Sequence, residues 1–255
     1  MTLFILLLVF IVLSVGLAWI LLRNDRGSKE PIGALWLAAG FGLLGAVAAG
    51  LIENFAVPVK DLTLGAPLTT LLLATLGIGA IEEICKFLPL SIFLYGKRYF
   101  NERTDGVIYF ALAGLGFGLP ENILYTLQFG STAGVGRVLL TPFFHSAITA
   151  MIGYYLAKYK LAKASRWRVL PALLAAMVIH GLYDFGLTSG RTLYIVASLT
   201  ITLGLTVLMV MLYLRALHDD QKNGRSAVGH NEYCRSCGFP NAKHYLYCTH
   251  CGQIA

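Results

Sequence analysis

The chain has 255 residues, of which 57% are hydrophobic and only 13% charged, with a formal net charge of +7. That excludes an ordinary soluble domain, in which roughly a quarter of residues carry charge. The basic excess does not point to nucleic acid either, because Lys and Arg are dispersed among connecting segments rather than gathered on one face.

Apolar runs long enough to cross a bilayer, about 20 residues each, occur near residues 2–22, 32–51, 66–95, 106–128, 138–157, 169–187 and 193–215. The first has no basic segment ahead of it and no small-residue cleavage site before "LLRNDRGSKE", so it reads as a retained helix rather than a secretory signal. Gly114, Gly116 and Gly118, just before Pro120, read as a helix-packing seam.

Lys and Arg alternate between rich and poor connections. There are three after the first run (Arg23, Arg26, Lys29), then Lys60 alone, three (Lys97, Arg98, Arg103), Arg137 alone, five between 158 and 168, Arg191 alone, and five in the tail. By the positive-inside rule this predicts a cell-membrane protein with its N-terminus outside and its C-terminus in the cytoplasm. Lys86 falls outside the pattern.

The fold expected is an all-α polytopic membrane protein with about seven transmembrane helices over residues 1–215. A polar linker at 216–232 and a small cytoplasmic zinc ribbon at 233–255 follow. In the ribbon, Cys234, Cys237, Cys248 and Cys251 form two CxxC pairs separated by ten residues. Four cytoplasmic thiols so spaced suit a closed tetrahedral zinc site better than disulfides. A ribbon of about 20 residues should need that structural zinc to fold.

Inside the spans lie Glu82, Glu83, Lys86, Glu121, Asn122, His145, His180 and Asp184. An ionised side chain at the bilayer centre costs about 2.5–3.5 kcal/mol on insertion scales, so these groups should face one another or water. Glu82, Glu121, His145, His180 and Asp184 stand 12 to 16 residues from the boundaries at Lys97, Asp105, Lys158 and Arg168. At about 1.5 Å per residue this predicts a common level roughly 18–24 Å from the cytoplasmic edge. Glu82 with Lys86 and His180 with Asp184 are i,i+4, and Glu83 with Lys86 is i,i+3, so each set can share a helix face.

Two chemistries suit these residue types. A carboxylate beside a histidine can activate water while a second histidine and a carboxyl or amide steady a tetrahedral intermediate. Alternatively, two histidines and a carboxylate can hold zinc with one position open for water. Both end in hydrolysis. Structural readings stand beside them: a Glu83–Lys86 ion pair, a packing hydrogen bond for His145, an i,i+4 contact for His180 and Asp184, and backbone satisfaction around Pro120 by Glu121 and Asn122.

The stretch "EEICK" resembles the EExxK motif of the PrsW family of intramembrane proteases. "FGLPEN" resembles its FGxxEN motif, and His145 with "HGLYD" resembles its two later histidine motifs, all in order over spans three to six. The family is similar in turn to the CAAX prenyl proteases. The resemblance implies that Glu82 activates water with help from His145 and that Glu83 pairs with Lys86. His180 and Asp184 would complete the water or oxyanion site, and Glu121 and Asn122 would line it. It further implies an endopeptidase cutting a membrane-anchored protein, such as an anti-sigma factor, near the extracytoplasmic side, with a catalytic zinc as one possible cofactor. The ribbon, apart from the resemblance, could bind a cytoplasmic protein partner, sense zinc or redox state, or contact nucleic acid, and the protein partner is the reading preferred.

Two other functions fit the same residues. Buried acidic and histidine chains also mark proton- or ion-coupled transporters, and a ribbon-bearing membrane protein could be a non-catalytic scaffold.

Overall fold

The computed structural model describes residues 2–57, 67–162, 168–222, 231–233, 240–242, 248 and 250–253. Among these described residues seven helices follow in order: α1 (Thr2–Asn24), α2 (Ile32–Ala56), α3 (Leu68–Phe93), α4 (Arg103–Phe129), α5 (Ser131–Ala162), α6 (Val169–Thr188) and α7 (Thr192–Lys222). Six are long and apolar enough to cross a membrane. The seventh, α3, has the length, at 26 residues, but carries Glu82, Glu83 and Lys86.

Two short strands follow, β1 (Asn231–Tyr233) and β2 (Pro240–Ala242), paired antiparallel with Asn231 opposite Ala242. Cys234 and Cys237 lie outside the described residues.

The bundle centre is α4 packed along α5, both buried over most of their length. Around them, α1, α2 and α7 turn apolar side chains such as Phe4, Trp36 and Leu193 outward, as a lipid-facing shell would. On the other side α3 lies between α2 and α6.

Lipid offers no hydrophobic reward for helix association, so small residues that let backbones touch decide the seams. A Cβ on Gly181 of α6 would sit 2.6 Å from the Leu76 Cα of α3, and one on Gly114 of α4 would sit 2.2 Å from the His145 carbonyl oxygen of α5. The "GLGFG" stretch is thus the packing seam expected, and both contacts fall beside site residues.

Several boundaries differ from expectation, α2 running on to Ala56 and α5 to Ala162 among them. α5 begins at Ser131 rather than near 138, so Arg137 is a helix residue. α4 begins at Arg103, where Glu102 and Asp105 form a reciprocal capping box.

α7 runs on to Lys222, through residues 216–222 of the expected linker. Its last turns are held by partners that a hydropathy window does not register. Asp220 Oδ2 accepts from the Arg103 and Thr104 backbone N–H groups at 2.8 and 3.0 Å, capping α4 from outside, and Asp219 pairs with Arg103 at 2.7 Å.

Candidate active site

Four helices bring the polar groups together. On α3, the Lys86 ammonium donates to Glu83 Oε1 at 2.7 Å and lies 3.4 Å from Glu82 Oε2. The i,i+3 and i,i+4 spacing puts all three on one buried helix face.

From α6, His180 crosses the glycine seam so that Nδ1 meets Glu83 Oε1 at 2.7 Å, while Nε2 stands 3.2 Å from Glu82 Oε2 and 3.5 Å from Asp184 Oδ2. From α5, His145 places Nδ1 3.1 Å from the Lys86 ammonium and Nε2 2.6 Å from Glu121 Oε2 on α4. Phe144 stacks on Tyr183 at 3.7 Å and meets the His180 ring edge-on at 5.0 Å, fixing that ring's plane.

These partners assign the tautomers. An ammonium only donates, so His145 Nδ1 must accept and Nε2 carries the hydrogen that Glu121 receives. His180 gives its Nδ1 hydrogen to Glu83, leaving a lone pair on Nε2, which has no hydrogen-bond partner among the described residues. That lone pair faces the Glu82 carboxylate, another acceptor. Two acceptors opposed in a buried site call for a positive charge between them, a proton or a metal ion.

Glu82, His145 and His180 offer ligand atoms within 4.8 Å of one another, all buried. Each histidine is pinned through its other nitrogen by a carboxylate, Glu121 or Glu83, the arrangement that orients metal-ligating histidines. The donor set therefore fits a divalent ion. Lys86, in contact with both Glu82 and His145, sits where such an ion would draw its ligands.

Seven of the eight expected residues meet at this centre. Asn122 does not: it bonds the Gly118 carbonyl at 2.7 Å and receives Thr141 at 3.3 Å, closing the α4–α5 seam one turn aside. That is close to its structural reading.

Two residues of the site escaped the sequence. Arg137, counted among the connecting charges, is buried, ion-paired to Glu121 and stacked on the Tyr125 ring at 3.8 Å. Eight residues before His145, it lies on the same α5 face, a spacing that could have found it. Glu53, two residues past the expected end of the second span, lies on α2 as an electrostatic neighbour of Glu121, Asp184 and Lys86.

Comparison with known proteins agrees with this constellation. The sequence profile of the PrsW family intramembrane metalloproteases matches residues 30–217.

The chain belongs to the PrsW family.

Among relatives, Protease PrsW of Bacillus subtilis is 38% identical over 117 residues, covering 45% of this chain and 53% of that protein. The Geobacillus kaustophilus protein is 34% identical over 113 residues, covering 44% and 50%. The Clostridioides difficile protein is 28% identical over 186 residues, covering 70% and 77%. The chain spans about half the length of the first two. No solved structure matches it. The PrsW profile covers every residue of the four-helix centre, from Glu82 to Asp184, and ends before the cysteine tail.

Proposed function

We propose that this PrsW family member is an intramembrane endopeptidase that hydrolyses a peptide bond of a membrane-anchored protein near the extracytoplasmic side. An anti-sigma factor is one such substrate. The observation that carries the reading is the pair of buried histidines, each pinned by a carboxylate and each offering a ligand atom to the group completed by Glu82.

In this reading Glu82, His145 through Nδ1 and His180 through Nε2 hold a divalent metal ion. When bound, such an ion supplies an acidified water and a polarised substrate carbonyl. The chain's own groups do the rest. Glu83 and Glu121 hold the two rings in plane and tautomer. Asp184, with Oδ1 unpartnered among the described residues, takes the proton released by water and passes it to the departing amide nitrogen. Lys86 draws back onto Glu83 and sets its charge near the oxyanion.

A metal-free version has its own support, since Lys86 already supplies a cation to Glu82 and His145 Nδ1. There Glu82 is the base that activates water. Metal content separates the two: the metal version expects an active chain to keep one zinc when the four tail cysteines are changed to serine. Full activity with no bound metal would leave the metal-free version.

For the tail we propose a structural zinc held by Cys234, Cys237, Cys248 and Cys251. In support, the described half is a tight turn in which the His250 N–H points at Cys248 Sγ at 3.3 Å and Gly252 takes φ +70°. The topology proposed is N-terminus outside and C-terminus cytoplasmic. With Arg137 inside the bundle, the connection before α5 loses its one basic residue, which sharpens the charge alternation.

Hydrolysis itself is tested by reconstituting the purified chain with single-span membrane proteins in water labelled with heavy oxygen. Fragments carrying the label in their new terminal carboxyl groups are expected. Unlabelled, uncut proteins beside measurable proton or ion flux would overturn the reading in favour of transport.

A further inference from the structure

Arg137 has no place in the peptide-bond chemistry described above, yet it is a cation kept inside the bundle at 6% exposure. Its guanidinium is clamped from two sides. One face lies on the Tyr125 ring at 3.8 Å, and Nη2 pairs with Glu121 Oε1. Its backbone carbonyl receives Thr141, which also reaches Asn122, so the helix turn that carries Arg137 is tied to α4. Glu121 spends its other oxygen on His145 Nε2 at 2.6 Å. The four groups form one chain, Tyr125–Arg137–Glu121–His145, running between α4 and α5.

We propose that Arg137 is a positioning residue: by clamping Glu121, it joins the Lys86 ammonium in holding His145 as the Nε2–H tautomer and keeps the Nδ1 lone pair turned to the Lys86 and Glu82 side.

The physical reason lies in what a buried carboxylate requires. Glu121 needs a compensating positive charge, and a guanidinium supplies it in a fixed plane, leaving one carboxylate oxygen aimed along a set direction. Glu121 then has a single acceptor to offer the imidazole, and the ring settles with its hydrogen on that side. Without Arg137, Glu121 keeps neither its compensating charge nor its direction, and the Lys86 ammonium at Nδ1 is left as the one group holding the His145 hydrogen on Nε2, a weaker lock than the two together. His180 is pinned separately, by Glu83 from α3, and does not depend on Arg137.

The consequence for catalysis rests on the reading of His145 as a site residue. The tautomer lock does not, because it concerns the metal-free chain alone.

The test is nitrogen NMR of the full chain in detergent with labelled imidazoles, His145 and His180 being assigned by single substitutions. Wild type should show His145 with its hydrogen on Nε2 only. Arg137→Gln, near in length but neutral, should give His145 a mixed-tautomer signal with His180 unmoved, and Arg137→Lys, which returns the charge without the plane, should recover only part of the wild-type pattern. An unchanged His145 signal in Arg137→Gln overturns the proposal. So does a joint shift of His145 and His180, which would mean a general effect on the fold. Should Arg137→Gln not fold, Tyr125→Leu frees the guanidinium while keeping every charge. Partial loss of the His145 lock is then expected, and an unchanged lock overturns the proposal. Peptide hydrolysis is read separately by the labelled-water assay, so either idea can fail alone.

Discussion

Glu83 Oε1 stands 2.7 Å from both the Lys86 ammonium and His180 Nδ1, so one carboxylate oxygen ties α3 to itself and to α6. The ion pair expected from i,i+3 spacing is therefore also the group that orients a histidine across a helix seam. If His180 ligates a metal, Glu83→Gln should weaken binding by about 10–100-fold, the usual effect of losing such a supporting carboxylate. Zinc titration of a chain lacking the tail cysteines checks this. Unchanged affinity would mean that Glu83 does not orient the ligand.

Removing Lys86 alone leaves Glu83 and Glu82 charged, buried and without their cation. Lys86→Met should destabilise the chain by about 3–5 kcal/mol. The double variant Glu83→Gln, Lys86→Met should recover part of that loss, because the two residues share one interaction. Denaturation of both variants in detergent measures it. Strict additivity would contradict the pairing.

The α3–α6 seam leaves no room for a side chain at Gly181, where a Cβ would meet the Leu76 Cα at 2.6 Å and the Thr75 carbonyl oxygen at 2.8 Å. Gly181→Ala must push the helices apart, at about 1–3 kcal/mol by the usual cost of overpacking, and lengthen the Glu83–His180 contact with it. A lower melting temperature together with weaker metal binding is expected. An unchanged melting temperature would show that the seam is looser than described.

At the end of the bundle where α4 begins, carboxyl groups crowd together away from the site. Burial, then the nearby Asp105 charge, pushes the Glu102 carboxyl up from 4.5 to about 9, although the Ser28 backbone N–H donates to it. Burial likewise raises Glu30 to about 8, with Asp25 and Glu102 adding to the rise. Folding therefore favours the protonated forms. Their stabilisation is full below about pH 4.5, the unfolded value, and is lost as pH rises through about 8–9. The melting temperature should fall from mildly acid to alkaline conditions, and Glu102→Gln, permanently neutral, should flatten the fall. An unchanged slope in Glu102→Gln would contradict this.

Much of the site was legible because polar groups within apolar runs are costly and so conspicuous. Glu82, Glu83, Lys86, Glu121, His145, His180 and Asp184 could each be found that way, and their similar depths predicted a meeting that the helices make. The pairing was less legible. Spacing on one helix suggested His180 with Asp184, yet the shorter contact of His180 is with Glu83 on another helix, which no local spacing encodes. Arg137 and Glu53 were missed because hydropathy ends a span at the first charge, whereas the helix runs on through it, Arg137 with Glu121 as its partner and Glu53 with one oxygen left without a hydrogen-bond partner among the described residues. α7 ran on to Lys222 for the same reason, held by Asp219 and Asp220 against α4.

The central claim, that this site cuts membrane-anchored proteins, is tested most directly by comparing membrane proteomes of cells carrying wild type or Glu82→Ala. The account predicts single-span proteins truncated near their extracytoplasmic boundary in the wild type only, with equal amounts of the folded chain in both. The same truncated products from Glu82→Ala would contradict it.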